Sequence, residues 1–307
     1  MRYDLAIAWT WEHDEPFALA LEEQVQKRRL TTFNVGDHNV DEVRSLVQKR
    51  KLEFCLYLDR AWDVDERYET LGRAIVKRGG SLVNPYDETT HCIDKASMHL
   101  EFISAGLHVP FSIIISPYVD AEDLELTLED LAHLGRPFII KPANTTGGGI
   151  GVVTGAESLL DVLNTRKEFE EDKYLIQEKI YPRIIEGRRC WFRCFYVYGK
   201  IFLCWWDDLT HEYAEVTTAE EHYYKLKALK RIMRSIAAIS KLNFFSSEIA
   251  LRTATSFEDS QFVVVDYVND MCDMRTTNHA PDGIPNALFD RIVERLALTA
   301  AKVAKAT

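Results

Sequence analysis

Two features of this 307-residue sequence carry recognisable chemistry. The first is Lys141-Pro142-Ala143-Asn144-Thr145-Thr146-Gly147-Gly148-Gly149-Ile150-Gly151. An apolar run, Phe138-Ile139-Ile140, ends in a lysine and passes straight into small residues. Glycines lack a Cβ, so backbone N–H groups can close on an anion. The lysine adds a mobile point charge suited to phosphate oxygens. A hairpin with a flexible tip is the plainer reading of a triple glycine taken alone. The second feature is a pair of carboxylates set in apolar strands. Glu248 lies inside Phe244-Phe245-Ser246-Ser247-Glu248-Ile249-Ala250-Leu251, and Asp266 closes Phe262-Val263-Val264-Val265. Such charges are costly unless paired or metal-bound; an edge strand facing water is the alternative.

Known phosphate loops are set aside on spacing. A Walker loop ends in Gly-Lys-Ser/Thr, whereas this one ends in Ile150-Gly151-Val152. A dinucleotide fingerprint follows the first strand and opens a helix; this loop lies mid-chain and leads toward a strand. Protein-kinase signatures are missing.

The elements that must hold these residues follow from periodicity. Residues 1–90 alternate: strands at Tyr3–Trp9, Leu30–Val35, Phe54–Leu58 and Ser81–Asn84, helices near 16–29, 41–49 and 68–77. That alternation predicts a small parallel sheet covered by helices. Beyond Pro85, a helix is expected over Asp94–Ala105, stopped by Gly106. Strands follow at 111–115, 138–142 and 174–180. Cys190–Trp206 reads as a hairpin around Tyr198-Gly199-Lys200. Thr218-Ala219-Glu220-Glu221 reads as a capping box opening one long helix toward Lys241. Strands 244–251 and 261–268 flank a turn at Ser256–Ser260, and an amphipathic helix starts near Ala287.

Composition bounds the partners. With 47% apolar and 28% charged residues the chain is globular in type. A net charge of -11 provides no global attraction to nucleic acid or an anionic membrane. The start does not read as a signal peptide and no apolar run spans a bilayer. Six cysteines without a CxxC pair suggest core thiols in a reducing cytoplasm rather than a zinc site.

A strand ending in Lys-Pro, a glycine-rich loop and then Gly-Val resembles the nucleotide loop of the ATP-grasp superfamily. Three further segments fall in that family's order. Lys95 precedes Ala105-Gly106-Leu107-His108-Val109-Pro110, Leu175–Ile180 resembles the strand lining adenine, and Glu248 with Asp266 and Asn269 resembles the magnesium ligands. The resemblance covers residues 85–300. It implies two α+β lobes clasping ATP behind a small parallel-sheet domain, divided here as 1–90, 91–180 and 181–307. It also implies that Lys95, Lys141, Gly147, Gly148 and Gly149 meet the phosphates, and that Gln177, Glu178, Lys179 and Ile180 wall the adenine. Glu186 is then the ribose partner, and Arg193 lies near the transferring phosphoryl group, an outer-face salt bridge being its alternative.

One spacing departs from the family. Carboxylate-x-Asn is usual, but here Tyr267 and Val268 separate Asp266 from Asn269. In a regular strand Asp270, not Asn269, would share the face of Asp266. Either a bulge re-aims Asn269 or Asp270 is the second ligand.

The family's chemistry implies a Mg-ATP-dependent ligase that activates a carboxylate as an acylphosphate for attack by an amine or other nucleophile. A small-molecule kinase and a nucleotide-binding regulator without turnover are the rivals. The acceptor is a small molecule or peptide. Its site is expected among Trp9–His13, Asp59–Trp62 and Trp205–Asp208, or near Arg275, although the aromatic stretches serve equally as lobe contacts.

Overall fold

The computed structural model describes residues 1–120, 124, 126–144, 149–253 and 261–306. The front of the chain forms an all-parallel sheet. Its strands β1 (Arg2–Trp9), β2 (Thr32–Val35), β3 (Glu53–Arg60) and β4 (Ser81–Leu82) lie in the order β2-β1-β3-β4. Helices α1 (Glu15–Gln26), α2 (Val40–Gln48) and α3 (Glu66–Lys77) make the crossovers. The two-residue strand period sorts the side chains. Ala6, Ala8 and Tyr57 pack under α2 and α3, whereas Leu5, Ile7, Leu56 and Leu58 join α1 on the opposite face. Both faces are thus buried, as parallel sheets require. The second face is completed from the far end of the chain by α10 (Asn286–Ala306), through Leu288, Ile292, Leu296 and Ala300.

Helices α4 (Tyr86–Ile93) and α5 (Lys95–Ser104) lead into a four-stranded antiparallel sheet. Its strands β5 (Ser112–Ile115), β6 (Phe138–Pro142), β7 (Val153–Ala156) and β8 (Tyr174–Glu178) lie in the order β5-β8-β6-β7. Phe138, Ile140, Tyr174 and Ile176 face α6 (Leu128–Leu134) and α7 (Leu159–Thr165). Alternation turns Lys141, Leu175 and Gln177 the other way. A short hairpin, β9 (Ile184–Ile185) and β10 (Arg188–Arg189), connects to the main sheet.

That sheet has the order β13-β12-β11-β14-β15, from β11 (Trp191–Val197), β12 (Lys200–Trp206), β13 (Tyr213–Glu215), β14 (Phe244–Leu251) and β15 (Phe262–Asn269). One face, with Phe192, Cys194, Phe245 and Ile249, is covered by Leu229, Met233 and Ile236. These come from the helix after α8 (Thr218–Tyr223), namely α9 (Lys227–Ser240). On the other face Phe195 and Val197 lie under α10, while Trp191, Trp206, Ala250 and Val263 form a separate apolar patch with Ile180.

The expected single helix toward Lys241 is two. Thr217, not Thr218, is the cap: its hydroxyl accepts from the Glu220 N–H and the Glu220 carboxylate returns to the Thr217 N–H. The break falls at Lys225, whose φ of 56° is left-handed; an L-residue there cannot continue a right-handed helix. The expected turn at Ser256–Ser260 lies outside the described residues. No helix among the described residues is long and apolar enough to cross a membrane.

Candidate active site at the junction of two sheets

Three charged side chains stand in a row across the main sheet. The antiparallel register sets Arg193 of β11 opposite Glu248 of β14, and Glu248 opposite Asp266 of β15. Cross-strand partners share a face, here the one away from Phe192 and Cys194. Both Glu248 oxygens are engaged: Arg193 Nη1 donates to Oε1 at 2.8 Å and Trp191 Nε1 to Oε2 at 3.3 Å. Arg193 Nε also donates to Ser246 Oγ at 3.3 Å. Arg193 thus forms a salt bridge, but a largely buried one rather than an outer-face one, and its partner is the candidate metal ligand itself.

Asp266 and Asn269 reach this face through two irregularities in β15. From the Ile249–Val264 pair to Glu248–Asp266, β14 advances one residue and β15 two. From Glu248–Asp266 to Ser246–Asn269, β14 advances two residues and β15 three. Each extra residue reverses the alternation. The first turns Asp266 away from the helix-packed face of Val264; the second returns Asn269 to the face of Asp266. Val264, Tyr267 and Val268 stay on the α9 side. Asp270 goes elsewhere. It lines a cavity against β3 and α4, and burial, with Asp63 nearby, pushes its carboxyl up to about 6.

The small sheet brings a lysine to the row. Lys141 is only 7% exposed. Its Nζ donates to the Val265 carbonyl oxygen at 3.1 Å and lies 5.0 Å from the Tyr267 ring centre. Lys95 opens α5. Its backbone N–H donates to the Ala143 carbonyl, two residues beyond Lys141, at 3.0 Å. Its N-cap Asp94 accepts from Ala96 N–H, Ser97 N–H and the Ser97 hydroxyl, and pairs with Lys173. Burial pushes Lys141 down to about 8; Asp266 and Glu248 counter this, and Lys95 adds to it. Burial also raises Glu248 above the ordinary carboxylate range, only partly offset by Arg193. Asp266 is likewise penalised by burial, but Lys141, Lys95 and Arg193 outweigh that and hold it below the ordinary range.

Cations and carboxylates here are buried in one another's field, each at a desolvation cost. A divalent cation between Glu248 and Asp266, and a polyanion between Lys95 and Lys141, would relieve both strains. Magnesium takes oxygen ligands, typically one or two carboxylates completed by phosphate and water. Glu248, Asp266 and Asn269 fit that donor set.

The remaining expected residues divide. Ile180 is buried with Trp191, Trp206 and Val263, beside the charged row. Gln177 is buried and donates to Ser112 Oγ at 2.9 Å and Tyr267 Oη at 3.2 Å. It therefore steadies the ring under Lys141 rather than offering its own amide to a ligand. The Glu178 carboxylate accepts from Phe111 N–H at 2.8 Å and pairs with Arg252. Lys179 Nζ lies 6.0 Å from the Tyr181 ring centre. Glu186 does not join this group. It occupies the β9–β10 turn with φ 52°, and its carboxylate accepts from Tyr224 Oη at 2.9 Å. Tyr224 packs on Trp205, on the α9 side of the main sheet. Gly147 and Gly148 lie outside the described residues; Gly149 has φ 73°, which a glycine accepts without strain. Arg275 pairs with Asp273 and Asp282 beside Trp11.

Sequence reading overlooked Trp191, Tyr267, Ser246 and His99. Trp191 and Ser246 were recoverable from strand period, two residues from Arg193 and Glu248. His99 was not. Its ring meets Tyr267 Oη at 2.6 Å, and burial, then Lys141, hold it near 4, hence neutral.

No family model matches the chain. A curated D-alanine–D-alanine ligase of Thermoanaerobacter sp. (strain X514) is 34% identical over 97 residues, 31% of this chain and 26% of the relative. The match thus spans about a quarter of the relative's length. Whole-chain likeness comes from solved structures. D-alanine–D-alanine ligase from Bacillus anthracis complexed with ATP superposes with a TM-score of 0.63 at 16% identity, covering 100% of this chain and 99% of that one. A RimK domain ATP-grasp protein from Sphaerobacter thermophilus gives 0.63 at 17%, covering 97% and 99%. The ATP-grasp ligase PsnB, complexed with precursor peptide PsnA2 and AMPPNP, gives 0.62 at 11%, covering 98% and 97%. The sheet order, the buried lysine facing a carboxylate row and these superpositions agree: the chain has the ATP-grasp fold.

Proposed function

We propose that this protein is an ATP- and magnesium-dependent ligase that activates a carboxylate as an acylphosphate and passes the acyl group to an amine or other nucleophile. The observation that carries the reading is the Arg193–Glu248–Asp266 row meeting Lys141 from the opposing sheet. Glu248, Asp266 and Asn269 would hold the metal, which would neutralise phosphate charge. Lys95 and Lys141 would cradle the phosphates of ATP, the substrate, beneath the loop of Gly147, Gly148 and Gly149. Arg193, held beside Glu248, would face charge developing on the transferred group. In phosphoryl transfer, catalysis is chiefly positioning and charge neutralisation, and this arrangement supplies both without a protein nucleophile. The backbone of Gln177–Lys179 and the Ile180 side chain would line the adenine; a ribose role for Glu186 would require it to leave Tyr224.

The reading divides the chain into a front domain (1–90), a small lobe (91–180) and a C-terminal lobe (181–307). Among the solved structures of this fold, PsnB is complexed with a precursor peptide and another is named a D-cycloserine synthetase. That supports an acceptor that is a small molecule or a peptide. Six free, buried thiols support a reducing, cytoplasmic setting.

The test is ADP release from Mg-ATP across amino acids, short peptides and small carboxylic acids, alone and in pairs. Release that needs a carboxylate plus an amine, with an amide and free phosphate as products, supports the ligase. A stable phosphorylated acceptor would replace it with a kinase, and no nucleotide binding in magnesium buffer would end the reading.

A further inference from the structure

The aromatic ring beside Lys141 is held in place by a buried polar triad. Tyr267 lies on the α9 side of β15, in an apolar cluster with Met98, Phe102 and Leu175. A phenylalanine would fill much the same space there without burying a hydroxyl. Instead, Tyr267 Oη meets His99 Nδ1 at 2.6 Å and accepts from Gln177 Nε2 at 3.2 Å. Gln177 Nε2 also donates to Ser112 Oγ at 2.9 Å. The Phe102 ring adds an edge contact, with ring centres 5.3 Å apart. His99, Gln177 and Tyr267 are all buried. Polar side chains in an apolar cluster each cost desolvation unless they satisfy one another. A satisfied network in turn fixes a single packing geometry.

The triad ties together three elements of the candidate nucleotide site. His99 stands one turn after Lys95 on α5, the spacing that puts both on one helix face. Gln177 belongs to β8, the expected adenine strand, and Tyr267 directly follows Asp266 on β15. Lys141 reaches across from β6. It touches β15 at the Val265 carbonyl and over the Tyr267 ring, the two neighbours of Asp266. Among the described residues Nζ makes one hydrogen bond, so two of its three donors remain for a ligand. The ring on which the ammonium rests sets where those donors point.

We propose that His99 and Tyr267 are positioning residues for the phosphate-binding lysine. The buried hydroxyl–imidazole bond locks the Tyr267 ring, and the locked ring aims Lys141 at the polyphosphate while keeping α5 and β15 in step. The proposal rests on the ligase reading for the identity of the anion; the ring lock does not.

The lock is testable without nucleotide. Methylene groups above an aromatic face are shifted upfield by its ring current. In the full chain carrying isotope-labelled lysine, the Lys141 methylene signals, assigned by their loss in Lys141→Met, therefore report its place over Tyr267. His99→Phe keeps a ring but deletes the bond, and the shift should collapse toward its random-coil position. His99→Asn puts an amide near the place of Nδ1. It should leave a cavity and lower the melting temperature, yet keep the shift. Nucleotide affinity should follow the lock and not the stability. By calorimetry His99→Phe and Tyr267→Phe should bind Mg-ATP about tenfold more weakly, the loss of one charge-assisted hydrogen bond. His99→Asn should bind it as wild type does. Adenosine, which has no phosphate, should bind every variant as it binds wild type. Should Tyr267→Phe fail to fold, the two His99 variants decide. An unchanged Lys141 signal in His99→Phe, Mg-ATP affinities that track melting temperature, or an equal loss for adenosine would each overturn the proposal. If wild type binds no Mg-ATP while the Lys141 signal responds as described, the ligase reading falls and the ring lock stands.

Discussion

Replacing Lys141 by methionine should strengthen the nucleotide-free fold while abolishing nucleotide binding. Burial takes this lysine from an ordinary pKa near 10.5 to about 8. At about 1.4 kcal/mol per pH unit, holding it charged costs the folded protein about 3 kcal/mol. The sign follows from the depressed value. The penalty is fully present below pH 8, shrinks as pH rises from 8 toward 10.5, and is absent above that. Methionine has a similar length and fits the same space, a swap that typically costs little. It forfeits the donation to the Val265 carbonyl, about 1 kcal/mol, and the contact with the Tyr267 ring. The net is a gain of about 1–2 kcal/mol at pH 7, or a melting temperature higher by roughly 2–8 °C. Above pH 10 the sign should reverse. Thermal melts of both proteins at pH 7 and pH 10, each with and without Mg-ATP, make the measurement. The wild type should gain stability from Mg-ATP and the variant should not. A Lys141→Met protein less stable than wild type at pH 7 without nucleotide, or a difference that ignores pH, would refute the account of this lysine as a strained cation.

Glu248, raised by burial, must lose its proton to bind a metal. Mn²⁺ affinity read by electron paramagnetic resonance should therefore weaken as pH falls from neutrality toward the ordinary carboxylate range, and Glu248→Gln should remove both the affinity and its pH dependence. The β15 irregularities predict that Asn269→Ala weakens Mn²⁺ binding about tenfold while Asp270→Asn leaves it within about twofold. Trp191→Phe deletes the indole N–H on Glu248; Mn²⁺ affinity should drop about tenfold with little change in melting temperature, as for partners that orient a metal ligand. Gly72→Ala sets a Cβ 2.0 Å from the Tyr86 hydroxyl and 2.7 Å from its ring. A rigid ring cannot yield, so a loss of about 1–3 kcal/mol is expected in denaturant titration.

Much of the architecture was legible because it depends on short-range rules. Alternating apolar runs and amphipathic stretches in residues 1–90 dictate parallel strands covered by helices, and Lys141, Glu248 and Asp266 stand out as charges that apolar strands tolerate only for a reason. Contacts between distant segments were not legible. The α10 helix seals a face of the front sheet from the other end of the chain. The left-handed Lys225 splits a helix that periodicity runs together. Glu186 turns to Tyr224, and Asn269 returns to the face of Asp266 only because β15 carries one extra residue against β14 between them. Sequence alone determined which side chains would be expensive to bury. Tertiary structure decided which of them meet, because strand register and the packing of one sheet against another are set by the sum of many contacts rather than by any local pattern.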